Sequence, residues 1–436
     1  MFKIKNNFFP MNFKSLIVYT IFFILILTAS FFRLNKVTGY MTAQSEKLIN
    51  IKNTFTSFKK TFSSKQQLPE TILSSQGDNF SLEYTLDDEL SAYIKKILKR
   101  YRSDYSSVVV IENSTGNILS AVGYTRTNNG FNRVLPFTGT HPSASLFKII
   151  TASELLENTD VENSTKFLYR GKGTTLYKYQ LKNKLSRWTR EQSFEKAFAK
   201  SNNVIFGKAA INNLSEEGLF KMASLFGFNR NLMKEINVSK SVFKLPETKY
   251  RLAEYAAGFN RDTTMSPLHA ALLSSVVANN GILQRPKLIK KITIENGTDL
   301  WVNKTLAKEV LNEDTALKVQ KMMELTIRQG TAKGSFKKLS KFVRNQVRIG
   351  GKTGSITGGF PFGKRDWFTA YAIPELSDGH NGISVCVMNI NVKKWYVRSA
   401  YLAKNIIEYY FKNISSNKKK LISKRDVILK EKNSIL

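Results

Sequence analysis

The stretch HPSASLFKII, residues 141–150, places Ser145 three positions before Lys148 at the head of an apolar helical run. On a helix, positions i and i+3 project from one face, close enough for the two side chains to hydrogen-bond. A serine hydroxyl is a poor nucleophile without a base beside it. A lysine serves as that base where burial and a second cation depress its pKa. Phe147 and the apolar helix offer the burial; the second cation has to come from elsewhere. Spacing alone decides nothing, because the same Ser-x-x-Lys interval also begins at Ser57, Ser193, Ser241, Ser335, Ser415 and Ser416.

Two further segments carry matching chemistry. In FEKAFAKSNNVIFGKAAINN a helical pattern is interrupted at Ser201-Asn202-Asn203. Ser201 reads either as a helix cap or as a hydroxyl relaying a proton to a leaving group, with Asn203 binding a substrate amide. In RIGGKTGSITGG, residues 348–359, Lys352 is the candidate second cation, Gly354 allows close backbone approach of a ligand, and Thr353 and Ser355 offer hydroxyls to a carboxylate. The plainer reading there is a glycine-rich hairpin with an exposed lysine.

The surroundings read as mixed α and β structure. DDELSAYIKKILKRYR (87–102) is an amphipathic helix with Asp87 and Asp88 as candidate caps. SVVVIENSTGNILSAVG is a hairpin whose turn formers are Asn113 to Asn117; a loop follows it. DWFTAYAI, after the Lys-Thr-Gly, reads as a strand.

The order Ser145, Ser201, Lys352, at intervals of 56 and 151 residues, resembles the Ser-x-x-Lys, Ser-x-Asn, Lys-Thr-Gly set of the penicillin-binding transpeptidase family. The first hairpin, LAEYAAGFNRDTTMSPLHAALLSSVVANNG, GTAKG and DWFTAYAIPE resemble that family's flanking segments, so the likeness covers roughly residues 80–412. It implies an α/β (α+β) fold: a five-stranded antiparallel sheet flanked by helices, with a mainly helical lobe carrying Ser201. It also implies that Ser145 attacks the penultimate D-Ala carbonyl of a peptidoglycan stem peptide with Lys148 as base. Ser201 and Lys352 pass the proton to the leaving amine, Asn203 holds the substrate amide, and Thr353 and Ser355 bind the terminal carboxylate. The backbone N–H groups of Ser145 and Ser355 form the oxyanion hole. No metal or cofactor is implied, and β-lactam antibiotics are expected ligands. The usual proline and glycine before the nucleophile are replaced by Ser143 and Ala144.

The hydrolytic alternatives are a D,D-carboxypeptidase and a serine β-lactamase; no Glu-x-x-Leu-Asn segment stands between Ser201 and Lys352 to suggest the latter. An alternative of another class is a non-catalytic scaffold or antibiotic sensor.

At the N-terminus, Leu16 to Phe32 carries no charge and approaches the ~17-residue minimum of a membrane-spanning helix. It reads as a signal anchor, with a cleavable signal peptide as alternative. Lysines on both sides leave the orientation open; the implied substrate places the catalytic region outside the cytoplasmic membrane. The expected organisation is a cytoplasmic tail (1–14), an anchor (15–33), a stalk (34–80), the transpeptidase domain (81–412) and a basic tail (413–436). The stalk is too short for a glycosyltransferase domain, so any glycan polymerase is expected to be a separate partner.

The net charge of +34 reads either as solvated lysines or as a field favouring anionic partners. Nothing resembles a nucleic-acid-binding signature. Cys386 reads as a core residue of a strand, and His141, His269 and His380 have no metal-ligand spacing.

Overall fold

The computed structural model describes residues 13–65, 68–73, 79–127, 130–295, 297–375 and 382–415. The side chains of residues 13–20 and of several positions between 34 and 43 lie outside that description, as do His380 and nearly all of the basic tail.

The central sheet is built from β1 (Tyr105–Glu112), β2 (Ile118–Thr125), β3 (Gly130–Asn132), β4 (Val347–Thr357), β5 (Lys364–Pro374) and β6 (Ile383–Asn391). Its spatial order is β4-β5-β6-β1-β2-β3, antiparallel throughout. The expected five strands are therefore six. The extra one pairs only Gly130 to Asn132 with residues 123–125, and three residues are too few to show the alternation by which a strand is recognised in sequence. β4, carrying Lys352 to Ser355, is one edge of the sheet. Cys386 lies buried in β6, which is buried along its whole length.

Helices cover both faces. The helices used below are α1 (Phe13–Lys65), α2 (Asp88–Tyr101), α3 (Lys148–Asn158), α4 (Phe194–Ala199), α5 (Asn203–Asn213), α6 (Lys249–Ala256), α7 (Pro267–Ala278), α8 (Glu313–Arg328) and α9 (Ser399–Tyr409). Asp87, not Asp88, caps α2, its carboxylate accepting from Leu90 N–H at 3.0 Å. α2 and α9 close one face, where Leu90, Ile94 and Ile97 meet Leu402, Ile406 and Ile407 in a common apolar core. The other face is packed by α7, all twelve of whose residues are buried. A helix buried on every side belongs in an interior: α7 packs on β1, β5 and β6 and reaches the helical lobe through His269, whose Nε2 lies 2.9 Å from Phe226 O.

The apolar N-terminal stretch is part of α1. Among the described residues, no helix is long and apolar enough to cross a membrane. The described apolar side chains between Ile21 and Phe32 are exposed. The far end of α1, within the segment expected as a stalk, packs against the domain: Phe58 is fully buried and Phe62 nearly so. Phe55 meets the edge of Trp301 at 5.0 Å, and Phe62 meets Phe137 at 5.9 Å. Residues 71–73 and 79–84 then add two strands to a small sheet with Ile289–Ile294 and Asp299–Val302.

Candidate active site

The turn that carries Ser145 is a 3-10 helix, Ala144–Phe147, that runs into α3 at Lys148. In a 3-10 turn side chains at i and i+3 eclipse, so Ser145 and Lys148 face one another more directly than on the α-helix expected from sequence. Lys148 Nζ lies 3.0 Å from Ser145 Oγ. Two bonds and a short strand pairing hold the turn from behind: Ser143 N–H donates to Thr263 O, Trp367 Nε1–H donates to Pro142 O, and residues 141–142 pair with 264–265. Ala144 sits at φ +50°, a left-handed conformation that favours glycine. Gly258 nestles against it at φ +60°, where a Cβ would come within 2.0 Å of Ala144 O.

Lys148 is wholly buried and has two more partners. It donates to Asn203 Oδ1 at 2.7 Å and to Ala257 O. The second contact has a simple origin: the last carbonyls of a helix have no intrahelical partner. α6 ends at Ala256, and α3 satisfies the carbonyls around that end through Thr151 (to Ala256 O, 2.9 Å) and Lys148. Burial, and then the charge of Lys352, push the Lys148 ammonium well below its ordinary pKa.

Ser201 stands between α4 and α5 with φ +57°. It is not the helix cap. Asn202 caps α5 through Ile205 N–H at 3.2 Å, which leaves the Ser201 hydroxyl to accept from Lys352 Nζ at 2.9 Å. Lys352 also donates to Thr353 O at 3.0 Å, and burial lowers its pKa to about 7. It is therefore a buried lysine, not an exposed one on a hairpin. Phenylalanine rings flank both ammonium groups, Phe206 at 5.4 Å from Lys148 and Phe198 at 5.4 Å from Lys352.

Asn203 presents Oδ1 to Lys148 and donates from Nδ2 to Thr174 O at 2.9 Å. A carboxamide has one further acceptor lone pair and one further N–H beyond these. Thr353 shares a hydroxyl–hydroxyl bond of 2.6 Å with Thr331, whose own N–H donates to Ala199 O at the end of α4. Gly354 is buried and faces inward. A Cβ there would meet Ala144, Leu146 and Trp367 at 3.3 Å, so its lack of a side chain makes room for the turn that carries Ser145. Ser355 is exposed.

Ser145, Ser201, Asn203, Thr353, Gly354 and Ser355 line one open cleft of about 1030 Å³, and the two lysines lie beneath its floor. Sequence reasoning missed Ala257, Gly258, Thr174 and Thr331. The first two lie in LAEYAAGFN and Thr331 in GTAKG, segments already singled out by their resemblance, which was the available signal for them. Among the described residues no group of His, Cys, Asp and Glu could hold a metal ion. His141 and His269 are buried, and burial lowers them to about 3 and about 4.

Comparison with known proteins matches residues 106–393 to the penicillin binding protein transpeptidase domain. The chain is 24% identical over 299 residues to stage V sporulation protein D of Bacillus subtilis, a match covering 64% of this chain and 44% of that one. It is 24% identical over 250 residues to penicillin-binding protein 3 of the same organism, covering 51% and 37%. The chain thus spans less than half the length of these curated relatives. Among solved structures, the D,D-transpeptidase domain of a peptidoglycan glycosyltransferase from Eggerthella lenta superposes with a TM-score of 0.61 at 18% identity, covering 77% of this chain and 84% of that one. Penicillin-binding protein A from Mycobacterium tuberculosis, solved as an imipenem acyl-enzyme, gives 0.59 at 19%, covering 76% and 80%.

Proposed function

The chain belongs to the penicillin-binding protein transpeptidase domain family, and from that premise we propose that it is a serine D,D-transpeptidase, cross-linking peptidoglycan stem peptides through an acyl-enzyme and inhibited by penicillins. The observation that carries this reading is the set of partners around Lys148. Asn203 Oδ1 and Ala257 O can only accept, so a neutral amine spends its two N–H groups on them. Its lone pair is left for the Ser145 hydroxyl. That is the arrangement of a base poised to take the serine proton.

In the proposed reaction Ser145 Oγ bonds to the penultimate D-Ala carbonyl carbon as its proton passes to Lys148 Nζ. The oxyanion is held by the N–H groups of Ser145 and Ser355. The C–N bond then breaks, and Ser201 with Lys352 delivers a proton to the departing D-Ala amine. An amine from a second stem peptide reverses the sequence on the ester and frees Ser145. Asn203 holds the substrate amide, and Thr353 and Ser355 hold its terminal carboxylate.

We place the catalytic domain outside the cytoplasmic membrane, tethered through α1, whose described apolar side chains from Ile21 to Phe32 are exposed. A separate glycan polymerase would supply the strands.

Intact-protein mass after incubation with benzylpenicillin, compared with Ser145→Ala, tests the reading. A lasting adduct on the parent alone is expected. Rapid drug turnover without an adduct would favour a β-lactamase, and neither adduct nor turnover a non-catalytic scaffold.

A further inference from the structure

Residues 166–191 hold eight Lys or Arg against a single acid, Glu191, which pairs with Lys166 at 3.0 Å. Strands Lys166–Tyr169 and Arg190–Ser193 pair as a hairpin base. The loop between them is wound around Gln180, which is 1% exposed. Its Oε1 accepts from Tyr177 N–H at 2.8 Å and Thr175 Oγ1 at 3.1 Å, and its Nε2 donates to Arg170 O at 3.0 Å and Lys172 O at 3.2 Å. Those four bonds use the full capacity of a carboxamide, so the loop is a fixed platform.

Aromatic surface stands on that platform in the open. Trp188 is 69% exposed, Tyr177 56% and Tyr179 53%. The two tyrosine rings stack at 5.8 Å and 11°, and Arg187 lies over the indole at 4.9 Å. Beside them a cavity of about 360 Å³ is lined by Lys166, Arg170, Lys182, Lys184 and Lys208. A basic composition explains solvated lysines; it does not explain apolar rings left uncovered among them.

The same loop reaches the active-site cleft. Thr174 lines the cleft, and its carbonyl accepts from Asn203. A polymer lying on the platform is therefore led toward Ser145.

We propose that the 166–191 platform binds the glycan strand bearing the donor stem peptide, its sugar rings stacked on Trp188, Tyr177 and Tyr179 and its peptide carboxylates met by the surrounding lysines. This inference rests on the transpeptidase reading. Each sugar ring offers an apolar C–H face to an indole or phenol, and stem peptides supply the anionic charge that the cations attract. Interleaved cations and aromatic rings also suit a single-stranded nucleic acid. The continuity of the platform with the cleft favours the polymer that carries the reacting peptide.

The test uses the full chain and two variants, Trp188→Ala with Tyr179→Ala, and Lys182→Gln with Lys184→Gln. Three readouts are taken: the acylation rate with benzylpenicillin, which has no glycan; the affinity for uncross-linked glycan oligomers bearing pentapeptides; and the affinity for an oligothymidylate of similar length. Expected for each variant is a loss of about tenfold or more in glycan affinity with the acylation rate retained. Equal glycan binding by acylated parent and both variants would overturn the inference alone. Absence of acylation in the parent would remove the transpeptidase reading and this inference with it. Tighter binding of oligothymidylate than of glycan would overturn the assignment of the occupant.

Discussion

Lys352 Nζ lies 2.9 Å from Ser201 Oγ across 151 residues of chain, and its charge acts in turn on Lys148. Two lysines thus share one buried site, each linked to a serine, with neither paired to a carboxylate among the described residues. Burial lowers the proton affinity of both, and the charge of Lys352 lowers that of Lys148 further.

Replacing Lys148 by Met removes the proposed base. Acylation by benzylpenicillin is expected to slow by about 10²–10⁴-fold, measured by stopped-flow or mass spectrometry. The variant should also lose stability, about 1–3 kcal/mol, if Asn203 Oδ1 and Ala257 O are left without a donor. A variant acylated at the parent rate would show that Lys148 is not the base.

Lys352 adds to burial in lowering the Lys148 pKa. In Lys352→Met the neighbouring cation is gone and the Lys148 pKa rises, so the acid limb of the acylation profile should move to higher pH. Lys352→Arg keeps the charge and should leave that limb closer to the parent's. An unmoved limb in Lys352→Met would separate the two lysines electrostatically.

The same burial links stability to pH. Lys352 holds its proton only up to about 7 in the folded chain and to roughly 10.4 when unfolded. Between those values the unfolded state binds more protons, so this contribution to stability grows as pH rises from about 7 toward about 10 and is lost as pH falls through 7. Lys148 acts with the same sign. Urea midpoints across that range should rise more steeply with pH for the parent than for Lys352→Met.

Thr331 should act through Thr353. Its hydroxyl stands 2.6 Å from that of Thr353, and Thr331→Val removes one bond, about 0.5–1.5 kcal/mol. For a D-Ala-D-Ala peptide, KM is expected to rise by roughly 3–10-fold with kcat little changed. Thr331→Ser should restore it, and a purely kcat effect would argue against a positioning role.

Gly258→Ala and Phe58→Ala test two structural joints. A Cβ at Gly258 collides with Ala144 O at a positive φ, so loss of more than ~1 kcal/mol and of acylation together is expected. Phe58→Ala empties a fully buried ring site beneath α1, with an expected cost of about 3–5 kcal/mol in a denaturant titration. An unaffected midpoint would mean that the end of α1 does not support the domain.

The residues singled out for chemistry were legible because each is a local pattern. Ser145 with Lys148, Ser201 with Asn203, and Lys352 with Thr353 and Ser355 are short motifs, and the resemblance of their order to that of the penicillin-binding transpeptidase family singled them out. Their partners across the fold were not legible in the same way. Ala257 and Thr174 contribute only backbone carbonyls, and any residue type can supply those. Ser201 was open between cap and relay until Asn202 was seen to occupy the cap. Gly354, expected to admit a ligand, lines the cleft and also makes room for the turn that carries Ser145.

By itself, then, the sequence singled out the side chains proposed to carry chemistry, the mixed α and β class, and the apolar face of α2, since helical periodicity, turn residues and motif spacing are properties of neighbouring residues. Tertiary structure alone decided that Lys352 is buried beside Lys148, that the sheet closes with a sixth, three-residue strand, and that the end of α1 packs into the core. Burial and proximity across 151 residues arise when separate elements pack, and the depressed pKa values follow from that packing because desolvation and unlike surroundings act on whichever groups the fold brings together.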